Sequence, residues 1–91
     1  MKEYKIILFD DNEVHDVYEE YASTLAIACE RVIRRAIAHV GYGGIDVDVL
    51  EKKFYDDCAE AEVLATDLYY MTDKRYFFFA REFEEKDEDL L

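Results

Sequence analysis

The segment VDVLEKKFYDDCAEAEVLATDLYYM, Val47 to Met71, decides the fold because it fits two secondary structures. Val47, Leu50, Phe54, Cys58 and Ala61 recur at helical spacing, and the same period continues through Leu64, Ala65, Leu68 and Met71. Asp48 and Glu51 stand at the separation of a capping box, so Asp46 or Asp48 can start such a helix. One reading is a single helix reaching Met71. The other breaks the helix near Ala61 and pairs Val63 to Met71 with Tyr76 to Phe83 across Thr72-Asp73-Lys74-Arg75. In that hairpin Leu64, Leu68, Tyr70, Phe77, Phe79 and Phe83 line one face, and Tyr69, Met71, Tyr76 and Phe78 lie on the face away from the core. Residues 62–71 stay open between helix and strand.

Outward from this segment the pattern is firmer. Gly41-Tyr42-Gly43-Gly44 holds all three glycines and reads as a connector, with Gly41 able to close a helix in the left-handed conformation. Before it, Leu25, Ala28, Cys29, Val32, Ile33, Ala36, Ile37 and Val40 follow one helical face, with Ser23 as the expected cap. Tyr4 to Phe9 is a short apolar run ended by Asp10-Asp11-Asn12, which reads as a strand and a turn. Residues 14–22 fit a strand or a helix, and the cap signal at Ser23 favours the strand. The expectation is an α+β fold: one two-layer domain over residues 1–84, an antiparallel sheet of three or four strands packed against two helices. Residues 85–91 read as an acidic, frayed tail.

Composition bounds the function. Ninety-one residues with 52% hydrophobic content and fourteen aromatics make one folded domain. Twenty-three acidic against eleven basic side chains give a net charge of -12, which disfavours nucleic acid and anionic membrane as direct partners and favours a basic protein surface. Cys29 and Cys58 read as small buried hydrophobes in a reducing, cytoplasmic setting, with no metal-ligand spacing. The opening residues carry too short an apolar run for a signal peptide, and no window is apolar enough for a membrane span.

The stretch KIILFDDNEV, Lys5 to Val14, resembles the opening of a response-regulator receiver domain, where a buried strand delivers adjacent carboxylates to a divalent cation. The remaining parts of that pattern are missing. Asp56 and Asp57 follow no apolar strand, no lysine stands in the required context, and the chain is short for five strand and helix units. Asn12 likewise breaks the Asp-x-Asp motif of haloacid-dehalogenase-type phosphatases. Asp10 and Asp11 therefore read as a polar turn. His15 and His39 stand alone, His39 as a partner for a helix C-terminus. Serine occurs only at Ser23 and no glycine-rich phosphate loop is present. No enzyme activity, cofactor or metal site is expected.

Two sets of residues remain as binding candidates. On a continuous second helix Asp56, Glu60 and Asp67 project to one side of the solvent face, and Glu51 and Glu62 to another, at a spacing comparable with phosphates on a nucleic-acid strand. Neutralising Asp56, Glu60 and Asp67 together is expected to leave the fold intact. Tyr42, Tyr69, Tyr76 and Phe78 are the aromatic candidates for interface anchors. Arg31, Arg34 and Arg35 form the one basic patch, read as pairing with acids of the chain itself or with an acidic surface of a second copy. In size and charge, though by no motif, the chain resembles the small acidic inhibitors of phages and mobile elements, anti-CRISPR proteins and anti-restriction DNA mimics. The resemblance implies a non-enzymatic inhibitor that occupies a basic nucleic-acid-binding surface of a host defence nuclease complex. The alternative is a homo-oligomeric assembly protein of a phage or plasmid, with the aromatics in a self-interface.

Overall fold

The computed structural model describes residues 1–91 as five strands, one α-helix and a short 3-10 helix. In chain order these are β1 (Lys2–Asp10), β2 (Glu13–Ala22), α1 (Leu25–Val40), β3 (Ile45–Phe54), β4 (Cys58–Asp67), β5 (Thr72–Glu82) and the 3-10 helix Glu85–Leu90. All five strands share one sheet in the order β2-β1-β5-β4-β3, and every neighbouring pair is antiparallel. The N-terminal hairpin β1–β2 and the meander β3–β4–β5 thus meet where β5 pairs with β1. Helix α1 joins the two halves and packs on one face of the sheet.

The expected second helix does not form. Its segment makes β3, the Tyr55-Asp56-Asp57 turn, β4 and the β4–β5 turn, so the sheet has five strands rather than three or four, and one α-helix covers it rather than two. The physical reason lies in β4, where Ala59, Ala61, Val63 and Ala65 are buried in strict alternation with Glu60, Glu62, Leu64 and Thr66. Alanine favours helices in isolation, but here its small size lets α1 approach the sheet closely, and this packing overrides the propensity. Residues 62–67 are strand and 68–71 are turn. Residues 14–22 are also strand, within β2.

The face assignment in the C-terminal hairpin is likewise reversed. Tyr76, Phe78 and Ala80 face α1, while Phe77 and Phe79 lie on the other face. Strand side chains alternate, so choosing the wrong parity moves every residue to the opposite side. The core joins Ile6 and Leu8 of β1, Ala22, the α1 face Ala28, Cys29, Val32, Ile33 and Ala36, and the β4 and β5 residues Ala59, Ala61, Val63, Phe78 and Ala80.

Local chemistry sets the ends of these elements. Asp11 and Asn12 form the two-residue β1–β2 turn with φ of 54° and 69°, left-handed values that short polar side chains tolerate and that primed hairpin turns require. Thr24, not Ser23, caps α1: its hydroxyl accepts the Ile27 N–H at 3.2 Å. Thr24→Ala is expected to cost about 1 kcal/mol in urea unfolding. Gly41 ends the helix at φ -77°, and the left-handed positions of the connector are Gly43 and Gly44. Both edge strands carry a bulge, at His15 in β2 and at Leu50 in β3, a device that blunts edge-to-edge pairing.

Where the sequence suggests a frayed tail, the chain folds into the 3-10 helix over the face of the sheet opposite α1. Asp87, 1% exposed, receives two hydrogen bonds of 2.7 Å from the Arg81 guanidinium and one of 2.8 Å from the Glu84 N–H. Arg81 is the cross-strand neighbour of Ile7, which is fully buried on that same face. No helix is long and apolar enough to cross a membrane.

Candidate interaction surface

The predicted acidic row does not exist as a row, because it presumed a helix. Asp56 sits in the β3–β4 turn, and Asp67 at the far end of β4. Glu60 and Glu62 share the sheet face opposite α1 and lie about 7 Å apart along the strand. Glu51 stands directly across from Glu62, a like-charge pair offset by two cations: Lys53 meets Glu51 at 3.2 Å and Arg75 meets Glu62 at 3.0 Å. These ion pairs are largely exposed and contribute little to stability. Of the basic patch, Arg34 pairs with Glu30 and Arg35 with the buried Glu20, while Arg31 donates to the Tyr21 carbonyl instead of meeting an acid.

Asp67 has a structural duty. Its Oδ1 accepts the Tyr69 N–H at 2.9 Å and the Tyr70 N–H at 3.0 Å, an Asx-type clasp that shapes the β4–β5 turn. Asp67→Ala is expected to destabilise by about 1 to 2 kcal/mol through loss of these bonds, measurable by thermal unfolding. The triple neutralisation of Asp56, Glu60 and Asp67 therefore carries a folding cost, because Asp67 holds the turn.

The clasp presents tyrosines. Leu68, Tyr69, Tyr70 and Met71 are all exposed, Tyr69 to 85%, and the Tyr69 and Tyr70 rings meet edge to face at 4.8 Å. The Leu68 N–H donates to the Gly44 carbonyl at 3.1 Å, which ties this turn to the connector carrying Tyr42, itself 84% exposed. Two of the predicted aromatic anchors, Tyr42 and Tyr69, thus arrive at one end of the molecule. The other two do not join them: Phe78 is in the core at 3% exposure, and Tyr76 is half-buried with its ring stacked on Phe78 at 5.7 Å. Carboxylates surround the tyrosine end, with Asp46 at the start of β3, Asp67, and Asp73 accepting from the Thr66 hydroxyl at 2.9 Å. Across the chain, six of the 23 acidic side chains form ion pairs.

Beside this end lies a hollow of about 180 Å³ lined by Asp10, His15, Tyr18, Ala36, His39, Val40, Tyr76 and Phe78. It exists because β1 stops at Asp10, opposite Phe78, while β5 extends back to Thr72. The C-terminal turn of α1 roofs the resulting notch. Burial raises the Asp10 carboxyl above its ordinary range, and the nearby Asp11 and Glu13 add to this, while His15 and Lys74 oppose it. A second hollow shares Val40 and Tyr76 with the first and adds Ile45, Asp67, Asp73 and Lys74, whose ammonium lies 4.6 Å from the Tyr76 ring centroid. No local pattern links Asp10, His15 and His39. They are remote in sequence, and only the notch brings them together.

No three His, Cys, Asp or Glu side chains converge as a metal-binding set. The Cys29 thiol is pushed up to about 12 by burial, with Cys58 and Asp57 reinforcing the effect, so it is a poor nucleophile at neutral pH. Family models, curated proteins and solved structures were all compared with the chain, and none matches.

Proposed function

We propose that the chain is a non-enzymatic binding protein whose tyrosine-bearing end engages a basic, nucleic-acid-binding surface of another protein and inhibits it. The observation that carries this reading is the meeting of Tyr42, Tyr69 and Tyr70 with Asp46, Asp67 and Asp73 at one end of a molecule of net charge -12. Exposed tyrosines supply packed contact area at low entropic cost, and surrounding carboxylates select a cationic partner and speed encounter. The contact is led by the tyrosines, with acids around them, rather than by a helical row of carboxylates at phosphate spacing. The likeness in size and charge to anti-CRISPR and anti-restriction inhibitors makes host defence nuclease complexes the first partners to test.

The experiment is binding of the purified chain to such nucleases at about 50 and about 200 mM salt, with nucleic acid as competitor. Binding that weakens with salt, is displaced by nucleic acid and falls about 100-fold in the Tyr69→Ala/Tyr70→Ala double variant supports the reading. Unchanged affinity in that variant overturns it. A second reading, self-assembly, is favoured by the exposed Val49, Leu50, Phe54 and Tyr55 on and beside edge strand β3. A mass that rises with protein concentration in sedimentation would select it.

A further inference from the structure

We infer that the notch between β1, β5 and the end of α1 is a receptor for a single arginine side chain presented by the partner protein. This deepens the binding function proposed above and rests on it for the partner's identity, but not for the existence of the site. The hollow holds about 180 Å³, below the roughly 300 to 1,000 Å³ that enclose a drug-sized ligand, and suited to one long side chain. Its floor is apolar, from Ala36, Val40 and Phe78, and accepts an aliphatic stem. Two tyrosines, Tyr18 and Tyr76, line it. Tyr76 is stacked on Phe78 and carries the Lys74 ammonium, which leaves Tyr18 as the ring to meet a planar cation, and guanidinium uses such a ring better than ammonium does.

Charge selects the same occupant. Asp10 is the acidic group lining the hollow. The cations nearby do not fill it. Lys74 lines the neighbouring hollow and not this one, although its ammonium stands over Tyr76 and its charge reaches Asp10. Arg35 is turned to Glu20. His15 and His39 stand at the hollow as the two imidazoles of the chain, so their ring protons report on whatever enters.

The test needs no partner protein. Acetyl-arginine-methylamide is titrated into the chain while the His15 and His39 ring signals are followed by NMR, beside its uncharged isostere acetyl-citrulline-methylamide and inorganic phosphate. The expected result is saturable shifts of both histidines with the arginine compound alone, weakened about tenfold or more in Asp10→Asn. Asp10→Asn is expected to keep the wild-type melting profile, because the residue is only half-buried. Equal shifts with citrulline, saturable binding of phosphate, or no saturation with arginine would each overturn the site. Those results would leave the tyrosine end untouched, since its test reads the Tyr69→Ala/Tyr70→Ala variant against a whole nuclease.

Discussion

Phe78→Ala is expected to lower the unfolding free energy by about 3 to 5 kcal/mol, the cost of removing a buried phenyl ring and leaving a cavity. The ring lies at 3% exposure on the α1 side of β5, stacked on Tyr76 with an interplanar angle of 13°. Its neighbours in the core include Ala36, Ala61 and Ala80, small residues that cannot extend into the vacated space. For a domain of this length the total stability is on the order of 5 to 15 kcal/mol, so the variant sits near the edge of folding. Urea denaturation read by circular dichroism measures the effect. Tyr69→Ala is the matched control: its ring is 85% exposed, and its removal is expected to stay within about 0.5 kcal/mol. Equal losses in the two variants would mean that the face assignment of β5 is wrong.

Acid is expected to loosen the C-terminal 3-10 helix before the rest of the molecule. The Arg81 guanidinium and the Glu84 N–H hold the Asp87 carboxyl down at about 2. An aspartate in the unfolded chain titrates near 3.9. Above roughly pH 5 the carboxylate is ionised in both states and its contribution to folding is complete; it is lost as pH falls through the unfolded value towards about 2. Asp87→Asn removes the carboxylate at all pH values. That variant should be less stable than the wild type at neutral pH and lose less on acidification. Amide exchange at residues 85–90 and at Ile7, which Arg81 and this helix shield, should quicken in the variant. Parallel pH profiles for the two proteins would remove Asp87 from this role.

How far the sequence could be read depended on which residues carried each pattern. Helix α1 was legible because its apolar residues hold one face from Leu25 to Val40 without competition. The β1–β2 hairpin was legible through Asp11-Asn12, a pair whose chemistry suits a turn. Strand β4 was not, because alanine occupies three of its four buried positions, and alanine spaced two apart still satisfies a helical period when Leu64 and Leu68 are counted in. The alternation of Ala59, Ala61, Val63 and Ala65 against Glu60 and Glu62 was the available signal. The candidate site followed the same division. Tyr42 and Tyr69 could be singled out as lone or clustered exposed aromatics, but their meeting depends on the Gly44–Leu68 hydrogen bond, a contact between remote residues. The Asp10, His15 and His39 notch needed the offset between β1 and β5, which no local pattern encodes.

The strand order gives β5 a further consequence. Two ribbons, one made of β1 and β2 and one of β3 and β4, share no backbone hydrogen bonds except through this central strand. A polypeptide stopped before Thr72 would hold two unjoined flaps under a helix, each with an unsatisfied inner border. Sheet closure is thus an event in which one late segment must find both borders at once, and a slip of its register would split the molecule along its midline.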